Sequence, residues 1–146
     1  MMLELSELDA PVPSPDTGLA LGGAASHLLK KRQAIRCALR GLRECWHTQP
    51  NLRLHGYLGG LVAALGWWCR LSIGEWLWLI LAIGFVIIME MINTAIEQTV
   101  DLVVGLTHDP LARQAKDIAA GCVLAAAALA ALIGTLTFGR HFLNNG

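Results

Sequence analysis

WLWLILAIGFVIIM (residues 76–89) is an unbroken apolar run, and it passes directly into EMINTAIEQTVD (residues 90–101), where acids enter at intervals. The first segment, with the residues that follow it, is long enough to cross a hydrocarbon core of about 30 Å. Nothing in the second segment breaks a helix, so one helix carries both. At 100° per residue, Glu90, Asn93, Glu97 and Asp101 fall within roughly 80° of arc, a single polar stripe on an otherwise apolar rod.

The rest of the chain agrees with a membrane setting. Its 146 residues make room for one domain; 55% are hydrophobic, mean hydropathy is +0.53 and only 15% are charged. Ordinary globular chains carry roughly 25% charged residues. The deficit is local, concentrated between residues 54 and 139. Net charge is zero, yet Lys30, Lys31, Arg32, Arg36, Arg40, Arg43 and Arg53 face a lone acid, Glu44, in the segment from His27 to Arg53. Two readings fit that block: a surface for anionic headgroups or nucleotide phosphates, or a juxtamembrane segment obeying the positive-inside rule. No nucleic-acid partner is expected. Cys37, Cys45, Cys69 and Cys122 are scattered without C-x-x-C spacing, so neither structural disulfides nor a zinc site is expected. Residues 1–25, with Pro11, Pro13 and Pro15, lack a basic segment leading into an apolar one. They read as a disordered tail rather than a cleaved signal peptide.

Four helices are expected in the domain spanning 26–146, giving an all-α integral membrane fold. Ser26 is the candidate cap of a surface helix over 26–48, which Gln49-Pro50-Asn51 should end. Ile35, Leu39, Leu42 and Trp46 form one stripe on it, and Arg32, Arg36, Arg40 and Arg43 its neighbour. Such an amphipathic helix suits a membrane surface; a soluble helix packed on the rest of the protein is the other reading. A first span over about 54–71 is short and glycine-rich (Gly56, Gly59, Gly60, Gly66), which favours close helix contact, with Trp67 and Trp68 as its aromatic belt. Ser72 to Glu75 is expected as a tight turn, the second span covers about 76–104, and Gly105 to Pro110 ends it. The third span, about 115–138, is rich in Ala and Gly, again favouring close contact. Arg113 and Lys116 share the basic side with the N-terminal block, so the N-terminus is expected in the cytoplasm and the C-terminus outside.

Carboxylates in a bilayer cost about 2.5–3.5 kcal/mol each even on the milder scales. The acidic stripe therefore needs compensation. A divalent cation with Lys116 nearby would supply it; a structural polar seam between helices is the bland alternative. Glu90 and Glu97 lie about 10 Å apart along the axis, too far to share a proton. Separate roles follow: Glu97, nearer the cytoplasm, can hold Mg²⁺ on a triphosphate, and Glu90, deeper, can take a proton from a lipid hydroxyl. Lys116 can offset charge on phosphate oxygens at the start of the last span, with Asp117 holding Lys116 or helping with metal. No G-x-x-x-x-G-K-[ST] loop exists, so any nucleotide site must be built from acids, metal and a lysine. Residue chemistry alone stops at an intramembrane acidic metal or proton site facing the cytoplasm.

Glu90-x-x-Asn93-Thr94-Ala95-Ile96-Glu97-x-x-x-Asp101, followed by Ala115-Lys116-Asp117-x-Ala119-Ala120, resembles the signature of prokaryotic diacylglycerol and undecaprenol kinases. Arg40-Gly41-Leu42-Arg43-x-x-Trp46 and Asn51-x-Arg53-x-His55 resemble an earlier segment of the same family, so the likeness covers about residues 30–140. It implies a homotrimer of three-span subunits in the bacterial inner membrane, each with a surface helix, using ATP, Mg²⁺ and a membrane lipid alcohol. By position it implies Glu90 as catalytic base, Glu97 as metal ligand, and Asn93 and Asp101 as supporting residues of the ATP site. Lys116 and Asp117 match its phosphate contacts, and Lys30, Arg43, Arg53 and Trp68 its lipid contacts. One departure stands out: Gln49 occupies the place of a second metal-binding acid. Asn93-Thr94-Ala95-Ile96-Glu97, Ala119-Ala120-Gly121 and His55 look more like the undecaprenol branch. The competing class is a non-catalytic oligomer conducting ions or protons through the acidic stripe, although no acid continues that path through the other spans.

Overall fold

The computed structural model describes residues 23–105 and 107–145. Among them are four helices and no strand: α1 (Gly23–Thr48), α2 (Pro50–Trp68), α3 (Ile73–Val104) and α4 (Pro110–Asn145). The expected tail falls largely on residues 1–22, outside the described residues, and α1 begins three residues ahead of Ser26. The chain divides into two units, 1–48 and 49–146, each taken by itself below.

In the first unit α1 runs to Thr48, whose hydroxyl donates to Glu44 O at 2.8 Å. Gln49 then turns extended (φ −104°, ψ 108°), because the ring of Pro50 disfavours a helical residue before it. Pro50 takes the first position of α2, where its missing N–H costs nothing.

The second unit is built on α3. Its inward face carries Leu79, Ala82, Val86, Glu90 and Asn93, spaced by three and four, and α4 answers with Ala119, Val123 and Ala126. These small and medium side chains let α3 and α4 lie close over most of their length. On the other side α2 meets α3 through Gly59: a Cβ built there would stand 2.7 Å from Ile83 Cγ2. Hydrogen would fit where carbon would not, so the glycine fixes how closely the two helices approach.

The reversal between α2 and α3 comes earlier than Ser72–Glu75. Arg70 adopts φ 56°, its N–H bonds to Trp67 O (3.1 Å), and Leu71 N–H reaches back to Gly66 O (3.1 Å). That is a Schellman ending, closed by Leu71 packing over Gly66. Ser72 instead caps α3: its hydroxyl and N–H both donate to Glu75 Oε2 at 2.7 Å, and Glu75 N–H returns a bond to Ser72 Oγ at 3.4 Å. This capping box satisfies two otherwise orphaned donors. At the other end Gly105 (φ 59°) stops α3, and Asp109 accepts from Leu111 and Ala112 N–H to start α4 at Pro110.

Among the described residues α3 and α4 are long and apolar enough to cross a bilayer. Leu77, Trp78, Ile80, Leu81, Ile88, Leu124 and Leu132 remain exposed along them. So much contiguous apolar surface belongs against lipid or another protein.

Candidate active site

The stripe read from the sequence is a single face of α3, but it is graded in depth. Glu90, Asn93 and Thr94 are buried, Glu97 is half-buried and Asp101 is exposed. Helical spacing alone brings these groups into line; the packing of α2 and α4 over one end of the line buries that end.

Glu90 is 4% exposed, and its partner comes from α2: His55 Nε2 lies 3.2 Å from Glu90 Oε1. A buried carboxylate without a partner would be strongly destabilising, so this pairing, rather than Lys116, compensates the deepest acid. One turn on, the Asn93 amide donates to Glu97 Oε1 at 3.0 Å. Asn93 Oδ1 is the buried side-chain oxygen that has no partner among the described residues. It and the free oxygen of Glu97 are hard donors of the kind Mg²⁺ takes. Among the described residues no three His, Cys, Asp or Glu side chains converge on one point. Mg²⁺ commonly binds through one or two carboxylates plus substrate phosphates and water, so this donor set fits that ion.

Beyond Glu97 the stripe ends in a second pair. Lys116, in the second turn of α4, bonds Asp101 across the α3–α4 connection. Lys116 is thus held by Asp101, and Asp117 by contrast pairs with Arg113 at 3.8 Å on the surface of α4. Neighbours in sequence diverge by 100° on a helix, whereas Asp101 faces Lys116 across the loop.

Gln49 is half-buried at the junction before α2, and Arg53 is half-buried in its first turn. Trp68 is 86% exposed at the far end of α2, about 20 Å along the helix from His55. Lys30 and Arg43 are exposed on α1, in the first unit. His55 is the residue that sequence reasoning used for the family likeness and as a branch cue, without giving it a place in the site. The available signal was its position as the first titratable side chain after Arg53 in a segment otherwise apolar.

A family model described as prokaryotic diacylglycerol kinase matches residues 36–138, which include every element of this line. The chain belongs to the prokaryotic diacylglycerol kinase family. It is 42% identical over 99 residues to an undecaprenol kinase of Bacillus subtilis, covering 68% of this chain and 80% of that one. A diacylglycerol kinase of Synechocystis is 39% identical over 101 residues, 69% of this chain and 58% of the relative. A diacylglycerol kinase of Escherichia coli is 29% identical over 103 residues, 70% and 84% of the two chains. Within the prokaryotic diacylglycerol kinase family, two helices long and apolar enough to cross a bilayer mark this chain as a membrane protein.

Proposed function

We propose that this chain is an ATP-dependent lipid kinase that moves the γ-phosphate of ATP onto a membrane lipid alcohol, either diacylglycerol or undecaprenol. The observation that carries the reading is the graded line on α3. A buried carboxylate lies at its lipid-ward end, hard oxygen donors at its middle and a cation at its exposed end. Family membership supplies the reaction class.

In this reading Glu90 takes the proton of the lipid hydroxyl, whose oxygen attacks the γ-phosphorus as ADP leaves. Glu97, with Asn93 Oδ1, holds Mg²⁺, which when bound with ATP neutralises charge on the phosphate oxygens. Lys116 trades part of its contact with Asp101 for a phosphate, and its place near the start of α4 adds the favourable end of the helix dipole. Asp101 keeps Lys116 within reach, and exposed Asp117, paired with Arg113 at 3.8 Å, meets the outer part of the nucleotide. Gln49 offers an amide oxygen where the family pattern implies an acid, so its hold on the metal is weaker.

The full architecture belongs to the same proposal. α2 forms a third, shorter span, and α1 lies on the membrane surface, with Lys30, Arg43 and Arg53 meeting headgroups and Trp68 the opposite interface. The protein is a homotrimer in the bacterial inner membrane, N-terminus in the cytoplasm. The exposed small-residue faces of α4 support self-association, and the basic residues of the cytoplasmic side support the orientation.

Purified protein in mixed micelles, given each lipid alcohol in turn, tests the reading. ATP should be consumed only with a lipid alcohol present. Glu90→Gln should lose turnover by at least about 10²-fold while still binding nucleotide, and Glu97→Gln should raise the Mg²⁺ needed. Absence of lipid-dependent turnover with both alcohols would end the proposal, and cation flux in liposomes without ATP consumption would replace it.

A further inference from the structure

The proposed base reaches its position through a residue on another helix. Glu90 is almost wholly enclosed, and among the described residues its ion-pair partner is His55, which comes from outside α3. His55 is itself largely enclosed, with 22% of its side chain exposed. It is the sole titratable residue lining an apolar groove of about 490 Å³, otherwise walled by side chains such as Val62, Val86 and Ala127. Among the described residues the Glu90 carboxyl has no other ion-pair partner, and so enclosed it meets little water. The contact exists because α2 and α3 nearly touch at Gly59 and Ile83: His55 stands one turn before Gly59 on its helix, and Glu90 two turns beyond Ile83 on the other.

We infer that His55 is the positioning residue of the phosphoryl transfer: it holds Glu90 Oε1 through Nε2 and leaves Oε2 turned to the incoming lipid hydroxyl. The inference rests on the kinase reading and adds to it a residue that acts through the base. At 3.2 Å the two atoms are within hydrogen-bonding distance once the ring N–H points at the oxygen. In the step so supported, the lipid O–H bond breaks and its proton passes to Glu90 Oε2. The lipid oxygen forms the new O–P bond, and the bond from the γ-phosphorus to the bridging oxygen breaks with its electron pair on ADP. His55 itself gains and loses nothing. It stabilises the charged carboxylate before the proton arrives and fixes which oxygen receives it.

Two measurements on the purified full chain test this, one of them independent of turnover. The first is a thermal-unfolding cycle over His55→Leu, Glu90→Gln and the double variant. His55→Leu strands a buried carboxylate and should lower the midpoint by about 4 °C or more. In the Glu90→Gln background the same change should cost less than about half as much. Additive effects would overturn the inference, whatever the kinetics. The second is steady-state turnover with diacylglycerol and with undecaprenol. His55→Leu should lower kcat about 10²-fold with KM for ATP within about twofold. His55→Gln, whose terminal N–H reaches about as far as Nε2, should recover at least about tenfold of that loss. Equal losses in both variants, or a raised lipid KM with kcat intact, would make His55 a wall of the groove and refute the positioning role. Wild-type protein inert toward both lipids would sink the kinase reading, while the unfolding cycle would still decide whether the two side chains are coupled.

Discussion

Adding one methyl group to Gly59 should disturb the active site without touching it. The new Cβ would stand 2.7 Å from Ile83 Cγ2, and Ile83 Cγ1 and Cβ lie close behind at 3.7 and 3.8 Å. Carbon pairs prefer about 3.5–4.0 Å, so α2 and α3 must separate by about 1 Å, or Ile83 must leave its rotamer. Over-packing of this kind typically costs about 1–3 kcal/mol. His55 rides on the same helix one turn away, and a displacement of about 1 Å stretches its contact with Glu90 past 4 Å, beyond hydrogen-bond range. A misplacement of about 1 Å can lower turnover about 10²-fold. The assay is lipid-dependent ATP consumption in mixed micelles, with thermal unfolding in parallel. Gly59→Ala should lower both, and the double variant Gly59→Ala/Ile83→Ala, which removes the obstructing Cγ2, should restore much of the turnover. Wild-type activity and stability in Gly59→Ala would refute the argument that this contact sets the helix separation.

Lys116→Met should raise KM for ATP at least about tenfold while shifting stability by less than about 1 kcal/mol, because the Lys116–Asp101 pair is partly exposed and solvent screens it; nucleotide titration and thermal unfolding separate the two effects. Gln49→Glu should lower the Mg²⁺ concentration for half-maximal activity several-fold, since a carboxylate binds that ion better than an amide; an unchanged Mg²⁺ curve would remove Gln49 from the metal site. Arg70→Gly should stabilise the protein by about 1 kcal/mol, as Arg70 holds a left-handed conformation that penalises a Cβ; a lower unfolding midpoint would show that the arginine side chain contributes more than its backbone costs.

Where the physics is local, the fold could be read directly. The apolar run into Glu90 announces α3, Ser72-x-x-Glu75 is a capping box in letters, Pro50 ends α1, and Gly105 with Pro110 separates α3 from α4. Ser72 to Glu75 nonetheless reads as a turn, because Ser and Gly favour turns and caps alike. The actual reversal rests on Arg70 at positive φ, a residue type that carries no turn signal, forced there by the packing of Leu71 over Gly66. The polar stripe was legible because a helix repeats at fixed intervals. The His55–Glu90 and Asp101–Lys116 contacts were not, since each joins two helices, and the adjacency of Lys116 and Asp117 pointed to the wrong partner.

His141, near the end of α4, lies 3.3 Å from Glu75 in the first turn of α3. Glu75 is fifteen residues from Glu90, about 22 Å along the helix axis, so this clasp closes the pair of long helices at the end away from the chemistry. A fusion partner or a trimmed tail that loosened the clasp would therefore fray the bundle from its far end, and the kinase would lose durability before it lost its reaction.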